Sequence, residues 1–105
     1  MIGRIWRGWA NAETAAAYEA HFQGEVLESL ATVPGCHGGY LLRHDSADSV
    51  EFVTLTLFDS LDAVRAFAGD TYEQAVVAPT AQAALRDYDR TVRHYTIVAG
   101  PETAP

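Results

Sequence analysis

The stretch Val50-Glu51-Phe52-Val53-Thr54-Leu55-Thr56-Leu57-Phe58 constrains the fold more than any other part of the chain. It reads as a strand. Alternate side chains of a strand point to opposite sheet faces. One face therefore carries Val50, Phe52, Thr54, Thr56 and Phe58, and the other carries Val53, Leu55 and Leu57. Both faces are largely apolar, so this strand needs a cover on each side. A helix follows directly, capped by Asp59 or Ser60, with Leu61, Val64, Phe67 and Ala68 on its apolar side. Gly69 suits the position just past its end.

The rest of the chain supplies partners for that strand. Ile2 to Trp9 reads as a first strand, with Ile2, Arg4, Trp6 and Gly8 on one face. Asn11 then reads as the N-cap of an amphipathic helix whose buried stripe runs Ala15, Tyr18, Phe22, Val26, Leu30. Gly24 inside it costs ~1 kcal/mol relative to Ala, a cost that close packing would explain. Pro34-Gly35 ends this helix. A second strand is expected over Gly39 to His44, joined to the central strand by the polar loop His44–Ser49 as an antiparallel hairpin. Asp70 to Val77 reads as a further short helix stopped by Pro79, and Ala81 to Asp87 as another helical turn or two. Thr91 to Val98 closes the chain as a last strand.

The order β-α-β-β-α-β predicts an α+β, ferredoxin-like fold: a four-stranded antiparallel sheet with the helices on one face. Residues 1–98 form the expected single domain and 99–105 a flexible tail. Helices on one face leave Val53, Leu55 and Leu57 bare. Each buried side chain of this kind contributes roughly 1.5–3 kcal/mol. The expected partner is a second copy of the chain, packed sheet against sheet as a homodimer.

Composition narrows the function classes. The formal net charge is −7, and all seven basic residues are scattered Arg. An acidic chain without a basic stripe argues against nucleic acid and anionic membrane surfaces as partners. No segment reaches the ~18 to 20 apolar residues of a membrane span, and the N-terminus lacks a signal-peptide apolar region. A cytoplasmic location is the resulting expectation. The single Cys36 forms no internal disulfide and no Cys-rich zinc site. His44 with Asp45 and Asp48 matches no metal spacing, so no metal site is expected. His21 and His37 receive no role.

The phrase Phe52-Val53-Thr54-Leu55-Thr56-Leu57-Phe58-Asp59-Ser60-Leu61-Asp62-Ala63-Val64-Arg65-Ala66-Phe67 resembles the strand–helix core of the antibiotic biosynthesis monooxygenase family. Pro34-Gly35 before a Gly-containing strand and the closing His94-Tyr95 strand also resemble this group. The resemblance implies a dimeric α/β barrel. It also implies a monooxygenase that needs no metal or organic cofactor and acts on a hydrophobic aromatic or polyketide-like compound. Non-oxidative readings on the same fold are an isomerase or cyclase, or a small-ligand-binding stress-response module. Cofactor-free oxygenases of this group use an Asn and a Trp four apart on the third strand and a Tyr in the next helix; those positions are Thr54, Phe58 and Val64 here. Haem-degrading members use a Trp and an axial His at positions that fall on Phe67 and Val77.

The candidate site residues follow from these faces. His94 suits a general base and Arg4 a holder of phenolate or carboxylate. Trp6, Phe52, Thr54, Thr56 and Phe58 form the expected substrate wall beneath the helices. Tyr72 is a candidate lid, and Tyr95 joins the site only if its strand is bulged.

Overall fold

The central strand pairs along its whole length on both edges, which makes it the spine of the sheet. The structure, a computed structural model, describes residues 1–101. In it β1 (Ile2–Ala10), β2 (Cys36–Asp45) and β3 (Val50–Phe58) form long antiparallel ladders in the order β2-β3-β1. Two short strands, β4 (Asp87–Tyr88) and β5 (Arg93–Thr96), complete the sheet on the free edge of β1. The architecture is the expected α+β arrangement, an antiparallel sheet with helices on one face.

The helices begin with α1 (Ala15–His21), continue through a wide π-helical turn at Phe22–Val26, and end in α2 (Leu27–Ala31). No side chain caps α1; the Asn11 carbonyl instead accepts from the amides of Thr14 and Ala15. Gly24 lies in the wide turn, and a Cβ added there meets nothing within 4 Å, so close packing does not explain it. Helix α3 (Leu61–Ala68) starts as expected: the Ser60 side chain accepts from the Ala63 amide, and Gly69 ends it at φ 83°.

Strand β2 starts at Cys36, earlier than the sequence suggests, through a register shift before Gly39. A Cβ on Gly39 would lie 2.9 Å from Thr56 Cγ2 and 3.0 Å from the Leu55 carbonyl, so only glycine fits the bulged backbone.

The region after α3 departs from expectation. Asp70 to Val77 is not a helix. The Val92 amide donates to the Glu73 carbonyl and the Ala75 amide to the Arg90 carbonyl, with Gln74 bridged to Thr91. The backbone groups a helix would use are thus committed to the last strand. The same pairing holds residues 90–92 off β1, so the expected Thr91–Val98 strand shortens to β5, while the separate two-residue β4 takes Asp87 at the end of the expected Ala81–Asp87 helical turn. Pro79 starts α4 (Pro79–Ala84) instead of stopping a helix, because its fixed φ and missing donor suit a first helical position. Residues 99–101 carry no helix or strand, and residues 102–105 of the expected tail lie outside the described residues.

Two apolar clusters fill the space between sheet and helices. One gathers Tyr18, Val50, Phe52, Ala81 and Leu85, and the other Leu30, Phe58, Ala63 and Val64. Phe52 and Phe58 are fully buried, one in each cluster. Between them β3 carries Thr54 and Thr56. The core is therefore interrupted at its centre, at the level of two hydroxyls.

Candidate functional site

That interruption is a cavity of about 240 Å³ under the helices. Its floor is the inner face of β1 and β3: Arg4, Trp6, Thr54 and Thr56. Its roof is the wide turn and its neighbours, contributing Tyr18, His21, Phe22, Glu25, Val26 and Ser29. Phe67 from the end of α3, the segment Ala75–Ala78, Ala81 and Val92 close the sides. The extra residue per turn of a π-helix locally widens a helix, a feature often found at functional sites.

Arg4 is the central polar feature. It sits mid-strand, paired across the sheet with Thr56 on one side and His94 on the other. The residue is only 6% exposed. Its Nη1 donates to the Tyr72 carbonyl at 2.6 Å and lies 2.9 Å from His94 Nε2. A guanidinium has no acceptor, so His94 Nε2 must carry the lone pair and Nδ1 the proton. Among the described residues no carboxylate pairs with Arg4. Burial lowers its pKa to about 10, so it remains a cation at neutral pH. Burial first, and the Arg4 charge second, pull His94 below its ordinary value, with Glu73 opposing. The pair is a buried cation braced by a neutral imidazole.

The other expected residues divide. Trp6, Thr54 and Thr56 line the cavity. The Trp6 indole is fixed by its Nε1 donating to the Asp89 carbonyl at 2.8 Å, and its ring packs against Tyr18 and Tyr88. Phe52 and Phe58 share that strand face but are sealed in the flanking clusters, where they shape the walls from behind. His94 stands beside Arg4, not on the cavity lining, and meets the Tyr72 ring edge-on at 5.2 Å. Tyr72 packs against the second cluster and reaches the site through its backbone carbonyl. Tyr95 lies on the opposite sheet face, 47% exposed, because its strand is not bulged there.

Sequence reasoning missed most of the roof. Tyr18, Phe22 and Val26 read equally well as a core stripe, and His21 carries no motif. Burial pushes the Tyr18 phenol well above its ordinary range, so it keeps its proton and stays neutral, able to donate or accept a hydrogen bond but not to serve as an anionic base. The His21 side chain is buried, and its Nδ1 has no hydrogen-bond partner. Among the described residues no group of three His, Cys, Asp or Glu side chains is placed to hold a metal ion. Among the described residues no helix is long and apolar enough to cross a membrane.

The fold and this cavity identify a class: small antiparallel α+β domains with a ligand-sized space between sheet and helices. The chain belongs to the antibiotic biosynthesis monooxygenase family, whose sequence profile matches residues 1–79. No curated protein matches the sequence. Among solved structures, an antibiotic biosynthesis monooxygenase-type protein from Caulobacter crescentus superposes with a TM-score of 0.70 at 22% identity, over 93% of this chain and 90% of that one. SnoaB, a cofactor-independent oxygenase from Streptomyces nogalater, gives 0.65 at 21% identity over 96% and 97%. MhuD, a haem degrader from Mycobacterium tuberculosis, gives 0.65 at 17% identity over 97% and 100%. At such identities these likenesses concern the fold. Val77, at the position where the resemblance would place an axial His, lines the cavity without a ligating atom, and His21 is the imidazole on the lining.

Proposed function

We propose that this protein is a cofactor-independent monooxygenase that oxidises a hydrophobic, acidic aromatic compound such as an anthrone or hydroquinone. The observation that carries this reading is the buried, carboxylate-free Arg4 cation on the floor of a largely apolar cavity. An unpaired buried charge is costly. A substrate anion would offset that cost at the point where chemistry without a cofactor needs it. Removal of a proton leaves an electron-rich anion that can itself reduce O₂. For an anthrone, the methylene carbon gains one oxygen atom, and the second oxygen leaves as water with the two methylene hydrogens. The apolar walls keep the anion dry, which strengthens its attraction to Arg4. Family membership supports monooxygenase-like chemistry in general.

The active assembly is a homodimer packed sheet against sheet. Val53, Leu55 and Leu57 are only half-buried, and Tyr40 and Leu42 beside them on β2 are 60% and 49% exposed. This apolar face supports the dimer reading. Oxygen uptake by the purified protein with a panel of anthrones and hydroquinones tests the reaction. Stoichiometric consumption of O₂ in the presence of a chelator is expected. No uptake by folded protein that binds the same compounds would overturn it.

A further inference from the structure

Cofactor-free oxidation needs a base, and His94 is poorly placed for that task. Its Nε2 lone pair is already engaged by Arg4, and the ring is not on the cavity lining. We infer that His21, backed by Glu25, is the proton acceptor, and that His94 is a positioning residue for Arg4. This deepens the oxygenase reading and rests on it.

His21 ends α1 and is only 7% exposed, yet its ring forms part of the cavity roof. Its Nδ1 is sealed from solvent without a hydrogen bond, and lies 3.3 Å from Glu25 Oε2. That is within ion-pair range but out of line for a hydrogen bond. Glu25 is one helical turn on, in the wide turn, with its side chain 62% exposed and free to rotate into line. A carboxylate facing Nδ1 favours the tautomer with the proton on Nδ1 and the lone pair on Nε2. Among the described residues nothing hydrogen-bonds His21 Nε2. Nε2, unlike Nδ1, is not sealed from solvent, so it remains open to a ligand in the cavity that His21 lines.

The chemistry follows from this arrangement. A C–H or O–H proton of the substrate passes to His21 Nε2, and the electron pair of the broken bond stays on the substrate as an anion held by Arg4. Glu25 balances the imidazolium that forms. The tight family spacing on β3 is not required, so Thr54 and Phe58 need supply no base.

Anaerobic hydrogen–deuterium exchange at the anthrone methylene isolates this proton transfer from any reaction with O₂. The wild-type protein is expected to catalyse exchange. His21→Gln should lower it ~100-fold or more while leaving anthrone binding, read by equilibrium dialysis, within about threefold. Glu25→Gln, at an exposed position that does not threaten folding, should lower exchange ~10-fold, a loss on the order of a single charge-assisted hydrogen bond. Equal exchange by wild type and His21→Gln, or no exchange by wild type that binds anthrone, overturns the assignment. His21-dependent exchange without aerobic oxygen uptake supports the base while removing the oxygenase reading. Oxygen uptake that survives in His21→Gln does the reverse.

Discussion

Replacing Arg4 with Met separates a ligand-binding cation from a structural one. Met fills a similar stem volume and removes the charge. Burial lowers Arg4 to a pKa of about 10, which corresponds to a cost on the order of 2–3 kcal/mol for keeping the cation, after discounting for solvent at the cavity mouth. The substitution relieves that cost. It also removes the donors to the Tyr72 carbonyl and to His94 Nε2, worth ~1–1.5 kcal/mol each. The two sums nearly cancel, so urea unfolding should show a change within about 1 kcal/mol. Breaking a structural buried ion pair would instead cost ~3–5 kcal/mol. Affinity for a phenolate should behave differently. Losing a charge-assisted bond of ~2–3 kcal/mol weakens binding roughly 30- to 150-fold. A variant destabilised by more than about 3 kcal/mol that still binds phenolate normally would refute the reasoning.

Other expectations are independent of substrate. Phe58 is fully buried in the second cluster, so Phe58→Ala should lose ~3–5 kcal/mol in denaturant unfolding, with a smaller loss meaning that the cluster collapses around the gap. His94 has a folded pKa below its ordinary 6.5. The unfolded chain therefore binds the proton more readily, and stability is full above that value and declines as pH falls through it. His94→Gln should flatten that part of the profile, and an unchanged slope would contradict the Arg4–His94 pairing. Leu55→Arg, on the outer sheet face, should convert a dimer to a monomer in light scattering without unfolding the sheet. A wild-type monomer at micromolar concentration would remove the assembly reading.

The strand–helix unit from Val50 to Ala68 is legible in the sequence because its signals are local. These are alternation along the strand, a Ser cap, a helical stripe and a glycine at the end. The shortening of the last strand is not, since it depends on Glu73 and Ala75 pairing with residues distant in the chain. The floor of the cavity is legible by strand parity: Arg4, Trp6, Thr54 and Thr56 must share a face. The contact between Arg4 and His94 depends on cross-strand register, which parity alone leaves open. The roof is hidden for another reason. Tyr18, Phe22 and Val26 have the spacing of a packed stripe, and only the wide turn and the gap between the two clusters turn them into cavity walls. Phe52 and Phe58 show the reverse, being expected walls that packing consumes as core.

The central claim is that the cavity under the helices holds a substrate as an anion over Arg4. The most direct test is the ionisation of bound para-nitrophenol, followed by its visible absorbance across a pH titration. The phenol should ionise at least one pH unit lower when bound than when free, since an opposite charge within hydrogen-bond reach shifts a pKa by about 1–3. Arg4→Met should abolish that shift. A bound phenol that ionises at its free value, or at a higher one as burial alone would dictate, contradicts the account.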